Sequence, residues 1–220
     1  MINLEFCGMA LNRKCIIRIS RYKNALNRLK ALGFEKVFSG NLADAAGVSS
    51  SQVRKDFSLF GITGNRRGGY KVDELIERIR EILGKNELQK VIIVGAGNIG
   101  KALLHYKGFE SGGIKVMAAF DIDPSKYSQE LEIPVLPLED LRGFVQEHEV
   151  KIGILAVTEV AAHHVSEIMI SAGIKGILNF APIQLRAADD VVINNINLEV
   201  ELENLIYFVN AQAKTDGVFE

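Results

Sequence analysis

The feature that most constrains this chain is the run Gln89-Lys90-Val91-Ile92-Ile93-Val94-Gly95-Ala96-Gly97-Asn98-Ile99-Gly100. Val91 to Val94 is a continuous β-branched stretch, the pattern of a strand buried on both faces. Three glycines at G-x-G-x-x-G spacing follow, and Lys101 to Tyr106 then reads as helix. In such a turn the first glycine, Gly95, permits the tight reversal. The second, Gly97, lets backbone approach a pyrophosphate. The third, Gly100, allows close packing of helix on strand. The backbone N–H groups of the helix N-terminus, at Asn98 and Ile99, would face the phosphate charge. A bare G-x-G-x-x-G also fits any tight strand–helix turn. Here a second apolar strand, Lys115 to Phe120, ends in Asp121 about 20 residues after Gly100, where a carboxylate accepts hydrogen bonds from the adenosine ribose. Strand, glycine turn, helix, strand and acid together point to dinucleotide binding.

From Lys90 onward strand and helix patterns alternate. Strands are expected at 90–94, 115–120, 151–157 and 175–180, with a short one at 191–194. Helices are expected at 98–107, 138–148 and 159–172. The alternation implies an α/β fold with a parallel sheet covered on both faces. A last amphipathic helix, Leu198 to Ala213, has Leu198, Leu202, Leu205 and Phe208 available for burial and follows a completed sheet. Such a helix suits packing against a second subunit.

Residues 1–86 read differently. Ile16 to Leu32 carries Ile19, Tyr22, Leu26 and Leu29 at helical spacing, with Gly33 as the stop. Asn41 to Ala46 is a short helix with Ser39 as its cap, and Gly47 turns the chain. Ser49 and Gln52 have capping-box spacing, and the helix they open places Val53, Phe57 and Phe60 on one face. Ser51, Lys55 and Ser58 take the opposite face, with Gln52 and Arg54 on its flanks. Short helix, glycine turn and a second helix with small polar and cationic residues make a helix-turn-helix, whose second helix enters the major groove. Ser49, Ser50, Ser51, Gln52, Arg54, Lys55 and Ser58 would then face bases or phosphates. Gly61 to Tyr70 fits a β-hairpin wing, with Arg66 and Arg67 on its tip suited to a narrow A·T-rich minor groove. Val72 to Leu83 closes the domain as a helix, and Gly84 to Glu87 is the linker.

Charge separates the two parts. Residues 1–86 hold 16 Lys and Arg against 8 Asp and Glu, a net +8. Residues 87–220 hold 10 against 19, a net −9, giving the −1 of the whole chain. An αα-hairpin with a solvated basic face would show the same helices, but the basic excess favours a polyanion partner. No run of about 18 apolar residues and no signal-peptide pattern occur, so a cytoplasmic protein is expected. Cys7 and Cys15 match no metal spacing and read as reduced thiols.

Catalytic machinery is not evident. About 40 residues follow the last core strand, which is small for a substrate domain. His105, His148, His163 and His164 fall on helices without metal-pair spacing, and no nucleophile elbow or paired carboxylates appear. A dinucleotide site joined to a DNA-binding module, without catalytic groups, is a sensor.

From about Ile16 to Ala213 the chain resembles the redox-sensing transcriptional repressor Rex family of bacteria. The resemblance rests on Gln52-Val53-Arg54-Lys55-Asp56, on Gly61 to Tyr70, and on Gly95 to Gly100. It rests also on Phe120-Asp121-Ile122-Asp123-Pro124 and on Ala172-Gly173-Ile174-Lys175-Gly176-Ile177-Leu178-Asn179-Phe180-Ala181-Pro182. It implies a homodimer of winged-helix domains (1–86), Rossmann-like NAD(H)-binding domains (87–195) and exchanged C-terminal helices (196–220). It implies release of an inverted-repeat operator with an A·T-rich centre when NADH binds, while NAD+ permits DNA binding. Cofactor contacts would fall on Gly95, Ala96, Gly97, Asn98, Ile99, Gly100, Tyr106, Asp121, Ala156, Val157, Phe180, Ala181 and Pro182. DNA contacts would fall on the serines, Gln52, Arg54, Lys55, Arg66, Arg67 and Tyr70 already named. No metal, membrane or enzymatic role is implied. Three positions depart from the family: Arg67 stands where glycine is usual, Asn24 where an arginine is frequent, and Asn197 where an aspartate is frequent. Asp121 is expected to favour NAD(H) over NADP(H), with Lys126 discounted because it lies beyond Pro124. An NAD-dependent oxidoreductase with a basic domain, and a dimerisation protein with an empty nucleotide fold, are the competing readings.

Overall fold

The computed structural model describes residues 13–65, 67–84, 87–128, 132–186 and 190–216. The chain divides into two compact units between Glu87 and Leu88. Each is held by its own apolar core.

In the first unit α1 (Arg13–Ala31), α2 (Ser39–Ala46), α3 (Ser50–Leu59) and α4 (Val72–Ile82) enclose Ile19, Tyr22, Leu26, Leu42, Val53, Phe57, Leu75 and Ile79. Two short strands, β1 (Lys36–Val37) and β2 (Tyr70–Lys71), pair antiparallel. Gly47 ends α2 in a left-handed conformation, with φ 67°, which lets the chain reverse into α3. The hairpin before β2 closes through an Asn65–Gly69 bridge. Helix starts depart from expectation: α1 begins at Arg13 and not at Ile16, and the caps of α2 and α3 differ. Phe38, not Ser39, occupies the N-cap of α2, and the Asn41 amide oxygen accepts from the Phe38 N–H. Ser49 does cap α3 by accepting from the Gln52 N–H. The Gln52 side chain does not return to Ser49, however, because it donates to Asp56 at 2.8 Å.

The second unit contains β3 (Gln89–Val94), α5 (Asn98–Leu104), α6 (Gly108–Ser111), β4 (Ile114–Asp121), β5 (Val135–Pro137) and α7 (Leu141–Glu147). It continues through β6 (Ile152–Leu155), α8 (Glu159–Ala172), β7 (Gly176–Asn179), β8 (Val192–Asn195) and α9 (Leu198–Asp216). The sheet runs β5-β4-β3-β6-β7-β8 with every pair parallel. Alternate residues of β3 supply two cores. Ile92 and Val94 join Phe120, Leu155 and the inner faces of α7 and α8. Val91 and Ile93 join Val116 and Ile154, with Leu103, Leu104 and Phe109 packed against them. Strand order reverses between β3 and β6, which makes the carboxyl ends of these strands the switch point where ligands bind in such sheets.

Several elements of this unit differ from the sequence reading, among them the short helix α6, which that reading leaves unassigned. The helix expected at 98–107 ends at Leu104, where the His105 Nδ1 faces the Lys101 carbonyl at 2.8 Å and competes for the helical bond. The edge strand β5 was not expected, being only three residues long. Its Pro137 is tolerated at an edge, where a missing N–H breaks no ladder.

Candidate functional site

The glycine turn is built as its spacing demands. Gly95 adopts φ 100°, and a Cβ there would overlap the Ala156 carbonyl oxygen. A Cβ on Gly100 would overlap the Gly95 carbonyl oxygen, so α5 can approach β3 this closely only with glycine there. Gly97 differs: nothing lies within 4 Å of its absent side chain. Two glycines therefore hold the turn together, and the third leaves room beside backbone. The Gly95 N–H donates to the Phe120 carbonyl and the Ala156 N–H to the Val94 carbonyl, each at 2.8 Å. Those bonds lock the loop tips after β3, β4 and β6 along one edge of the sheet. A cavity of about 180 Å³ opens there between Gly95, Gly97, Asp121, Lys126, Ala156, Val157 and Thr158.

Asp121 is the buried acid of this cavity, 6% exposed. Its carboxylate accepts from the Ala96 N–H at 2.7 Å and the Asp123 N–H at 2.9 Å. Lys126 Nζ reaches both oxygens, at 3.1 and 3.2 Å. Burial opposes the charge, but the two N–H groups and the ammonium outweigh it and hold this carboxyl below its ordinary range. The Lys126 contact corrects the expectation that Pro124 carries that lysine away. Asp123 caps a 3-10 turn over Pro124–Lys126, with its carboxylate accepting from the Ser125 N–H, and this turn folds residue 126 back over Asp121.

The remaining cofactor candidates fall into two groups. Asn98 and Ile99 are exposed at the start of α5. Phe180, Ala181 and Pro182 follow β7 on the same sheet edge, where the Phe180 N–H donates to the Leu155 carbonyl. Asn179, fully buried, fixes that loop. Its amide donates to the Ile183 carbonyl and to Asn195 Oδ1, and its oxygen accepts from the Ala181 N–H. Tyr106 is not brought into the glycine-turn cavity. It is 58% exposed, packs edge-on to Phe109, and lines another cavity with Lys107 and Lys115.

In the first unit α3 presents Ser49, Ser51, Arg54, Lys55 and Ser58 to solvent, with Ser50 and Gln52 half-buried. Arg54 bonds Ser39 Oγ on α2 at 3.1 Å. Arg67 is exposed at the hairpin tip, its N–H held by Asn65 Oδ1 at 2.8 Å; Arg66 lies outside the described residues. Tyr70 is half-buried, its ring edge-on to Phe57 and overlying Gly64.

Sequence reading gave no role to Asp56, which the structure makes the polar centre of this unit. It is fully buried and accepts from Arg18 Nε and Nη2 at 2.6 and 2.7 Å, Tyr22 Oη at 2.9 Å, Gln52 at 2.8 Å and the Cys15 thiol at 3.6 Å. Burial alone would raise its pKa; the Arg18 fork, Tyr22 and Gln52 reverse the sign and lower it. The same burial pushes the Cys15 thiol and the Tyr22 phenol up. The signal was present in sequence: Cys15, Arg18 and Tyr22 share one face of α1, and Asp56 interrupts the apolar stripe of Val53, Phe57 and Phe60.

From Leu198 to Asn210 every residue of α9 is exposed. Beyond Leu198, Leu202, Leu205 and Phe208, it also exposes Val200, Ile206, Tyr207 and Val209, so its apolar surface is broader than one stripe. Asn197 caps it by accepting from the Glu199 and Val200 N–H groups. Among the described residues no helix is long and apolar enough to cross a membrane, and no group of three His, Cys, Asp or Glu is placed to hold a metal ion.

A helical unit with a hairpin wing, followed by a Rossmann-ordered sheet with a glycine turn and buried acid, defines a winged-helix protein with a nucleotide-binding α/β unit. Residues 13–58 match the family profile "Putative DNA-binding protein N-terminus", and residues 86–183 match "CoA binding domain". The redox-sensing transcriptional repressor Rex of Desulforamulus reducens is 44% identical over 87% of this chain and 92% of its own length. That of Bacillus subtilis is 40% identical over 87% and 89%. A Rex-family repressor, RSP, solved with β-NAD+ and operator DNA, superposes with a TM-score of 0.86 at 32% identity, covering 96% of this chain and 98% of that one. Its complex with β-NADH gives 0.83 at 32% identity over 96% and 100%. The chain belongs to the redox-sensing transcriptional repressor Rex family.

Proposed function

We propose that this chain is a homodimeric transcriptional repressor that binds an inverted-repeat operator and releases it when NADH occupies the cleft beside Gly97. The observation that carries the reading is the pairing, in one chain, of that open glycine turn and buried Asp121 with an exposed basic face on α3. Ser49 to Ser58 of α3 enter the major groove, with Arg54 and Lys55 on phosphate or guanine. Arg66 and Arg67 reach an A·T-rich minor groove. The dinucleotide pyrophosphate lies against Gly97, its adenosine ribose at Asp121, and the rest of the molecule along Ala156, Val157 and the Phe180–Pro182 loop. α9 exchanges between two copies and covers its apolar surface there, since a surface of this extent is an aggregation hazard when left bare. The protein works beside DNA in the cytoplasm and turns over no substrate. Support for that last point comes from relatives named as repressors.

The test is operator binding on an inverted repeat, measured alone, with NAD+ and with NADH. Release by NADH and not by NAD+ is expected. Equal occupancy under all three conditions, or turnover of NADH with candidate substrates, would sink the reading.

A further inference from the structure

We propose that Lys126 sets the nucleotide preference of the glycine-turn cleft, by lying across Asp121 and softening its rejection of a ribose 2′-phosphate. The inference rests on the NAD(H) reading above and deepens it.

An ionised carboxylate offers about four lone-pair sites. At Asp121 four contacts already meet them: the Ala96 N–H, the Asp123 N–H, and Lys126 Nζ on each oxygen. The two backbone donors are fixed by the loop after β3 and the turn after β4. Lys126 is the adjustable member, its side chain 29% exposed and also 3.9 Å from Asp123 Oδ2. A ribose diol can donate to Asp121 only where Lys126 gives way. The lysine then stays within reach of the ribose, because the capped turn over Pro124–Lys126 holds its backbone in place. A bare acid at this position repels a 2′-phosphate outright. An acid paired with an ammonium repels it less, and the displaced ammonium is itself a partner for phosphate. Lys126 thus weakens the hold on the unphosphorylated ribose and eases entry of the phosphorylated one, and both effects narrow the preference for NADH.

The experiment measures NADH and NADPH affinity by nucleotide fluorescence on the full chain, for wild type, Lys126→Met and Lys126→Arg. Lys126→Met should widen the NADPH-to-NADH ratio of Kd values roughly tenfold, and Lys126→Arg should leave it within about threefold. Lys126→Gln serves the same end if the methionine variant is insoluble. An unchanged or narrowed ratio in the neutral variants, with NADH still bound, overturns the role of Lys126 and leaves the NAD(H) reading standing. Failure of the wild type to bind either nucleotide takes both down.

Discussion

Asp56 and Asp121 are the two buried acids among the described residues, one in each unit, and both are held ionised against their burial. They differ in what surrounds them. Around Asp56 every donor is a side chain from α1 or α3: Arg18, Tyr22, Cys15 and Gln52. The carboxylate itself is closed off from solvent, although Arg18 is 22% exposed, and the cage ties the helix that bears the exposed basic face to the long helix α1. Around Asp121 two of the donors are backbone N–H groups of loops, and the third partner is a part-exposed lysine beside a cavity. That cage opens on one side. A closed cage fixes a fold. An open one, with an exchangeable member, receives a ligand. The same physics of desolvation against hydrogen bonding serves structure in one unit and recognition in the other.

The largest effect is expected at Asp56. Asp56→Ala leaves the Arg18 guanidinium without its fork partner and Tyr22 without an acceptor. Removing one member of a buried pair costs about 3–5 kcal/mol, so a large drop in the urea midpoint of the N-terminal unit is expected, with operator binding lost. The second unit should unfold as before. A loss under about 1 kcal/mol would mean that water replaces the carboxylate and that the cage is not closed.

Asp121→Ala should act less on stability and more on ligand. The Ala96 and Asp123 N–H groups lose an acceptor, worth about 1–3 kcal/mol if they stay buried, while NADH should weaken roughly tenfold or more. Titration of the cofactor and thermal unfolding on the same samples separate the two effects. Unfolding as severe as in Asp56→Ala would put Asp121 in the structural class after all.

Acid sharpens the contrast. Both carboxyls titrate below their unfolded value of about 3.9. Each therefore contributes stability that is fully present above that value and is lost as the pH falls through the folded value. Replacing Asp56 with Asn should flatten the acid dependence of the first unit only. A slope unchanged in Asp56→Asn would show that other groups govern its acid unfolding.

The fold was legible wherever the pattern was local. The β-branched run before Gly95, the helical stripe of Ile19, Tyr22 and Leu26, and the helix at 159–172 all read directly, because period and glycine position are properties of neighbouring residues. Element order sufficed for the parallel sheet. Contacts across sequence were harder to read. Asp56 meets Arg18 and Tyr22 over more than thirty residues, a pairing that no window of helical periodicity reports. Lys126 is not legible from sequence because Pro124 reads as a divider, whereas a proline at the first position of a 3-10 turn, behind a capping aspartate, bends the chain back. The site was thus legible as to its acid and its glycines, and not as to the lysine that shares the acid.

Arg54→Ala and Lys55→Ala test the exposed side of the closed cage. Neither residue touches Asp56 in the hydrogen-bonding pattern, so stability should hardly change. Each should lower operator affinity and reduce its salt slope by roughly one unit. Arg54 also bonds Ser39, so a small stability loss in that variant is tolerable. Unchanged affinity and slope in both would misplace the DNA-binding face.

The smallest effect expected is at Asn197. Its side chain caps α9, where an aspartate caps as well and adds a negative charge at the positive end of the helix dipole. That charge is worth about 0.3–1 kcal/mol, offset in part by the neighbouring Glu199 and Glu201. Asn197→Asp alone should therefore move the unfolding midpoint little and in either direction by less than 1 kcal/mol or so. The informative variant is the double, Asn24→Arg with Asn197→Asp, because Asn24 is exposed on α1 and the resemblance to the family implies a charged pair at these two places. If the residues meet in one state of the dimer, operator affinity with and without NADH will show a coupling beyond the sum of the single changes. A charge-assisted bond exceeds a neutral one by about 1 kcal/mol, which is several-fold in the balance between the two dimer states. Strict additivity would mean that these two residues do not meet, and that the switch lies elsewhere in the dimer.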